Sequence, residues 1–140
     1  MKRLLPLLLF VLSSIMLSSC EDVFDCIINR RPELPNKSFE VGTVESYYYD
    51  EFRAEIKNEP RDDDYGYIFE VDDNLPDGLE LFVNYRTVSI EGLPTHPGTY
   101  TFTVYLFVDP PLSYDYDTDQ YDDPLCSDST SKEYTIIINP

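Results

Sequence analysis

The chain has 140 residues, with ten Lys and Arg against 27 Asp and Glu and a formal net charge of −17 at neutral pH. That balance excludes nucleic acid as a partner and argues against an anionic lipid face, since both would be repelled by the protein's field. Twelve Tyr and eight Phe, no Trp and a single His supply one domain's core but little acid–base chemistry.

The first element is a Lys2-Arg3 start followed by the uncharged run LLPLLLFVLSSIML from Leu4 to Leu17, the layout of a secretory signal. It falls short of the ~20 apolar residues that a spanning helix needs, and Pro6 weakens such a helix further. Leu17-Ser18-Ser19-Cys20 resembles the bacterial lipobox: an aliphatic residue, two small residues and the cysteine that is acylated before cleavage. The resemblance implies that residues 1–19 leave as a lipoprotein signal peptide and that Cys20 becomes the lipid anchor, each buried CH₂ contributing about 0.8 kcal/mol. The competing reading is an ordinary secretory signal that ends near a cysteine. Glu21-Asp22 resembles the acidic signal that sends lipoproteins to the outer face in some Gram-negative groups. The expected address is therefore the bacterial outer membrane, lipid-anchored and surface-exposed, with a periplasm-facing orientation as the alternative. Residues 20–36, with Arg30-Arg31-Pro32 and Leu34-Pro35, read as a lipidated tether, and residues 37–140 as one domain.

Cys26 and Cys126 remain. Exported chains favour pairing, so a Cys26–Cys126 disulfide is expected, with two free thiols as the competing reading. Two sulfurs and His96 do not make a structural zinc site.

Strand-like stretches follow at 38–44, 46–57, 65–71, 79–83, 85–90, 99–108 and 132–139, rich in Tyr, Phe, Val, Ile and Thr. In TYTFTVYLFV, Tyr100, Phe102, Val104, Leu106 and Val108 share one face, a period of two. Tyr134, Ile136 and Ile138 repeat it. Within 46–57, Asp50 falls in phase with Tyr48, Phe52, Ala54 and Ile56, and a bulge there would reconcile the pattern. Turn chemistry separates the runs at Asn58-Glu59-Pro60, Asp72-Asp73-Asn74, Pro76-Asp77-Gly78, Gly92-Leu93-Pro94 and Pro97-Gly98. The expected fold is all-β, a single antiparallel Ig-like β-sandwich of about seven strands, with a small closed barrel as runner-up.

LPDGLEL at 75–81 and TVSIEGLPTHPGTYTFTV at 87–104 resemble the immunoglobulin-like, cadherin-like domain family of bacterial surface proteins. Leu75, Pro76, Gly78 and Leu79 fit its first motif, Thr87, Ile90, Gly92 and Pro94 its second, and Gly98, Thr99, Tyr100, Phe102 and Val104 its third. Val88 stands where the family usually has glycine. The motif residues suit turns and a sheet's inner face, so they are fold residues. The resemblance implies adhesion, protein or carbohydrate contact, or spacing at a cell surface, and names no ligand.

The stretch 109–131 holds seven Asp and neither Lys nor Arg, and is long enough to be functional or disordered. Asp115, Asp117 and Asp119 have the alternate spacing of calcium loops, yet Gln120 replaces the turn glycine and Cys126 the final Glu, so an EF-hand is rejected. If the strands alternate, Asp62, Asp63 and Asp64 reach the same end as Asp115, Asp117 and Asp119. Six carboxylates without a basic partner would repel one another, and weak calcium binding would relieve them; a solvated acidic loop is the plainer reading, and no other cofactor is indicated.

Tyr47-Tyr48-Tyr49 and the loop tyrosines Tyr114, Tyr116 and Tyr121 are either a sugar- or protein-contact surface or strand filler, whereas Tyr67, Tyr100 and Tyr134 read as filler. Asp128-Ser129-Thr130 resembles a short O-glycosylation motif. An enzyme is not expected: His96 sits in a turn, and a sandwich this small offers little groove for a carboxylate pair. The expected partners are a membrane through the lipid and a surface protein or glycan, with a calcium-dependent adhesin or a small hydrolase or accessory subunit of a glycan-processing system as the alternatives.

Overall fold

The computed structural model describes residues 26, 29–111, 113–116, 120–122 and 125–140. Cys20, with the signal and lipobox, lies outside them. Eleven strand segments run through the described residues: β1 Arg31–Glu33, β2 Gly42–Thr43, β3 Tyr48–Arg53, β4 Glu55–Lys57, β5 Gly66–Val71, β6 Leu79–Asn84, β7 Thr87–Gly92, β8 Gly98–Asp109, β9 Ser113–Asp115, β10 Gln120–Asp122 and β11 Ser129–Asn139. Four form one sheet in the order β2-β11-β8-β5, and three form the facing sheet in the order β3-β7-β6. The expected Ig-like β-sandwich is the fold observed. All pairings are antiparallel except that of the short β2 with the end of β11.

The period-two pattern determines which side chains fill the space between the sheets. Phe102, Val104, Leu106 and Val108 on β8 and Tyr134, Ile136 and Ile138 on β11 are buried against Tyr48 and Phe52 on β3 and Val88 and Ile90 on β7. Phe39 joins them, its ring centroid 5.5 Å from that of Tyr134 and 5.9 Å from that of Phe102. At ~25 cal/mol per Å² of buried apolar surface, this layer is the main source of stability.

Several boundaries differ from the sequence reading; β11 begins at Ser129, and the short strands β9 and β10 lie within the 109–131 stretch. Of 38–44 only Gly42–Thr43 is strand, because Phe39 leaves the ladder to enter the core. The run 46–57 is divided at Ala54, whose amide donates to the Arg86 carbonyl at 2.8 Å, after which the chain pairs with β1 instead of β7. Tyr85 lies in the β6–β7 turn rather than in a strand, with φ of 59°. Residues 31–36, expected within the tether, close one edge of the sandwich: Pro32 faces Ile56, Leu34 is buried, Lys132 donates to the Leu34 carbonyl and Tyr134 to that of Pro35.

No bulge occurs at Asp50, which keeps regular register opposite Ile90. Its carboxylate is 8% exposed and is satisfied in place by the Lys37 ammonium at 2.5 Å and the amides of Glu40 and Glu51 at 2.9 and 2.8 Å. Burial alone would raise its pKa, but these donors outweigh burial and hold it below the usual carboxylate range. Such a group stabilises the fold above its unfolded pKa of ~3.9 and stops doing so as pH falls through the lower folded value. Asp50→Asn is expected to cost about 2 kcal/mol at neutral pH, with the gap narrowing in acid. Urea unfolding of both proteins between neutral pH and strong acid measures this, and a pH-independent gap would contradict it.

The glycines of the family-like motif are structural, as expected of fold residues. Gly78 and Gly92 have φ of 90° and 144°, and a Cβ on either would lie 2.1 Å from a facing carbonyl oxygen. That closeness lets the Leu93 amide donate to the Gly78 carbonyl at 3.0 Å. Val88, in place of the usual glycine, is fully buried in β7.

Candidate functional site

The sandwich has two chemically different ends, and β8 runs from one to the other. Its Asp109 end carries the acidic connections. Asp109 pairs with Gly66, so the 58–65 connection and the 110–128 connection emerge together, as the alternating-strand argument required. Asp62, Asp63 and Asp64 form a single 3-10 turn there. Asp115 lies on β9 opposite Gln120 in a short hairpin, while Asp117 and Asp119 lie outside the described residues.

The premise of a carboxylate cluster without a basic partner is corrected by Arg86. This guanidinium, 10% exposed, bonds the Asp62 carboxylate through Nη1 and Asp63 through Nη2 at 2.8 Å, with Arg53 a further 3.6 Å from Asp63. The Tyr67 hydroxyl donates to the Asp62 carbonyl at 3.0 Å, and burial pushes its pKa up to about 12, against the pull of Arg86. The positive charge that calcium would have supplied on this side is already provided by arginine. Among the described residues no group of three His, Cys, Asp or Glu side chains is placed to hold a metal. Sequence reasoning missed Arg86 because it lies in a hairpin turn far along the chain from the acids it answers.

Cys26 and Cys126 are joined at this end, their Cα atoms 5.5 Å apart. The Cys126 amide donates to the Arg30 carbonyl at 2.8 Å, so the bridge is seated on the segment leading into β1. A groove of about 450 Å³ nearby is lined by residues including Glu55, Lys57, Glu59 and Asp62. Three of those charges are paired within the fold: Lys57 with Glu33, Glu59 with Arg30 and Asp62 with Arg86. Ser129, from the glycosylation-like motif, is the first residue of β11, and its hydroxyl donates to the Asp128 carboxylate at 3.0 Å.

The opposite end carries aromatic rings on open surface. The alternation that buries Tyr48 and Phe52 turns Tyr49 and Glu51 outward on β3, Glu91 and Ser89 on β7, and Glu80 and Phe82 on β6. Register sets them in rows, Tyr49–Glu91–Glu80 and then Glu51–Ser89–Phe82. Tyr47, Tyr49 and Phe82 are 64%, 51% and 47% exposed. The Tyr47 hydroxyl bonds the Glu91 carboxylate and the Tyr49 hydroxyl donates to Glu51 at 2.6 Å, contacts that raise both phenol pKa values. A shallow groove of about 320 Å³ lies among Tyr47, Gly78, Glu80, Phe82, Glu91 and Gly92. The Tyr47–Tyr49 cluster was visible in the sequence, and its middle member is core; Phe82 and the two glutamates join only through the β3–β7–β6 register. His96 is an exposed turn residue, as expected, 2.9 Å from the Thr95 hydroxyl and 3.7 Å from Asp77.

No family model matches the chain, and no curated protein matches it in sequence. Among solved structures, an endo-fucoidan hydrolase of glycoside hydrolase family 107 superposes with a TM-score of 0.53 at 16% identity, over 81% of this chain and 14% of its own. A single-residue variant of that enzyme gives 0.50 over 76% and 13%. A chain described as an alpha-galactosidase from Bacteroides fragilis gives 0.46 at 18% identity, over 79% and 18%. The protein thus spans less than a fifth of the length of these structures, and at such identity the likeness to the fucoidan hydrolase is one of fold alone.

Proposed function

We propose that this chain is a contact module of the bacterial cell envelope, held at the outer membrane by lipid on Cys20, facing outward, and binding a surface glycan without turning it over. The observation that supports this reading is the solvent-open group of rings and carboxylates at the end of the sandwich away from the Cys26–Cys126 bridge. Each strand of the three-stranded sheet is six residues long, roughly 20 Å at the strand rise, and Tyr49, Glu80 and Glu91 lie toward the end away from the bridge. An anchor entering through residue 26 would hold the bridge nearest the membrane and turn the aromatic end away from it.

Catalysis is disfavoured by shape. Glycosidic hydrolysis needs two carboxylates placed across a substrate in a groove that admits the attacking water and excludes the bulk, whereas Glu80 and Glu91 stand side by side on an open sheet. The fucoidan hydrolase carries the same fold as a small part of a glycan-cleaving chain, which fits a glycan partner without requiring cleavage here. Incubation of the purified full-length protein in detergent with a polysaccharide panel is expected to show retention of at least one glycan and no released product. Product formation would favour the hydrolase reading, and retention only in the presence of calcium the adhesin one. Labelled fatty acid is expected to enter the protein and to be lost in Cys20→Ala.

A further inference from the structure

We infer that the outward face of the three-stranded sheet, at the end formed by Tyr47, Tyr49, Glu80, Phe82 and Glu91, is the site at which this protein binds a glycan, and that the glycan carries no acidic groups. The inference rests on the contact reading above. It begins with a cost in the ladder: Glu80 and Glu91 are directly opposite on neighbouring strands, where like charges destabilise a sheet. The two rows above contain no Lys or Arg; Arg53, one row further along, is turned to Asp63. A surface that retains such a pair at a cost in stability is explained if the carboxylates serve as acceptors for something outside the protein.

The neighbouring groups narrow what that is. Tyr47, Tyr49 and Phe82 present flat apolar rings beside the acceptors, and the CH face of a pyranose packs on a ring while its adjacent hydroxyls donate to a carboxylate. Tyr47 and Tyr49 already donate to Glu91 and Glu51, which fixes the rings and draws off part of the negative charge. The surface is therefore built for hydrogen bonding and stacking more than for ion pairing, which favours an uncharged sugar chain over a basic peptide. Sulfated or uronate-bearing chains would meet like charge here and across a protein of net charge −17. The outer face of the larger sheet also exposes Ile68, Tyr105 and Phe107, with Glu70 and Ser131 flanking Tyr105, but no two acids face each other in its register.

Affinity electrophoresis of the full-length protein in detergent, through gels containing neutral galactan, neutral mannan, a sulfated galactan or oligolysine, tests the proposal. At least one neutral polysaccharide is expected to retard the protein, with little change in about 0.5 M salt, since the interaction is not ionic. Phe82→Ala and Tyr49→Ala are expected to weaken retardation about tenfold each, as loss of a central aromatic contact does. Glu80→Gln separates the roles further: it should raise the melting temperature by relieving the like-charge pair while weakening retardation, a combination that a purely structural residue would not give. Retardation by a neutral glycan that all three variants retain would overturn the site and leave the contact reading standing. Equal or stronger retardation by the sulfated chain would overturn the ligand class. Retardation by oligolysine alone, abolished by salt, would replace the glycan with a basic protein partner, and no retardation by any polysaccharide would defeat both readings.

Discussion

Reduction of the Cys26–Cys126 bridge is expected to lower the unfolding free energy by about 4 kcal/mol. The two cysteines are 100 residues apart in sequence, and closing a loop of that length restricts the denatured ensemble by up to about 4.7 kcal/mol on the chain-entropy model. The native contacts beside the bridge do not depend on it: β1 still pairs with β4, and the Cys126 amide still reaches the Arg30 carbonyl. The reduced protein is therefore expected to fold, with a lower urea midpoint and a steeper denaturant dependence, because its unfolded chain expands further. A Cys26→Ala, Cys126→Ala double variant should behave as the reduced protein does. Unfolding free energies that agree within about 0.5 kcal/mol between oxidised and reduced forms would show that the bridge carries no such constraint.

Arg86→Ala is the second large expectation, at about 3 kcal/mol. The side chain is almost wholly enclosed and grips two carboxylates of the 3-10 turn, while its own carbonyl receives the Ala54 amide. Removing the guanidinium leaves Asp62, whose side chain is only 18% exposed, without its cation. Arg86→Lys should recover only part of the loss, since an ammonium cannot bridge two carboxylates in one plane. Asp63→Asn provides an internal control. Its carboxylate is 71% exposed, so its loss should cost no more than about 0.5 kcal/mol. Thermal and urea unfolding of the three variants measures the order, and an Arg86→Ala protein as stable as Asp63→Asn would refute the role given to the guanidinium.

Much of the sandwich was legible because alternation is a local signal. The faces of β8 and β11 could be read from Tyr100 to Val108 and from Tyr134 to Ile138, and the two cysteines left over after the lipobox-like one had few alternatives to pairing. What escaped depends on partners distant in sequence. Asp50 reads as a fault in an apolar face until Lys37 and two amides from outside its face are brought to it. The acids at 62–64 read as an open cation site until a hairpin turn delivers Arg86. The segment 31–36 reads as tether by composition, and only the pairing of Pro32 with Ile56 makes it part of the fold. For the candidate site, a triple tyrosine was visible but its meaning was not, since strand register alone sets Tyr49 beside Glu91 and Glu91 beside Glu80.

The bridge also determines how the molecule would carry tension. A pull arriving from upstream of residue 26 passes through sulfur to residue 126 and enters the protein just before β11, bypassing β1 to β10. When such a load is resisted beyond residue 139, only the segment after residue 126 is drawn out, at about 3.4 Å per residue. The rings and carboxylates at 47–91 lie inside the closed loop, so a load applied between two points outside it can peel the last strand yet cannot straighten the chain that presents them.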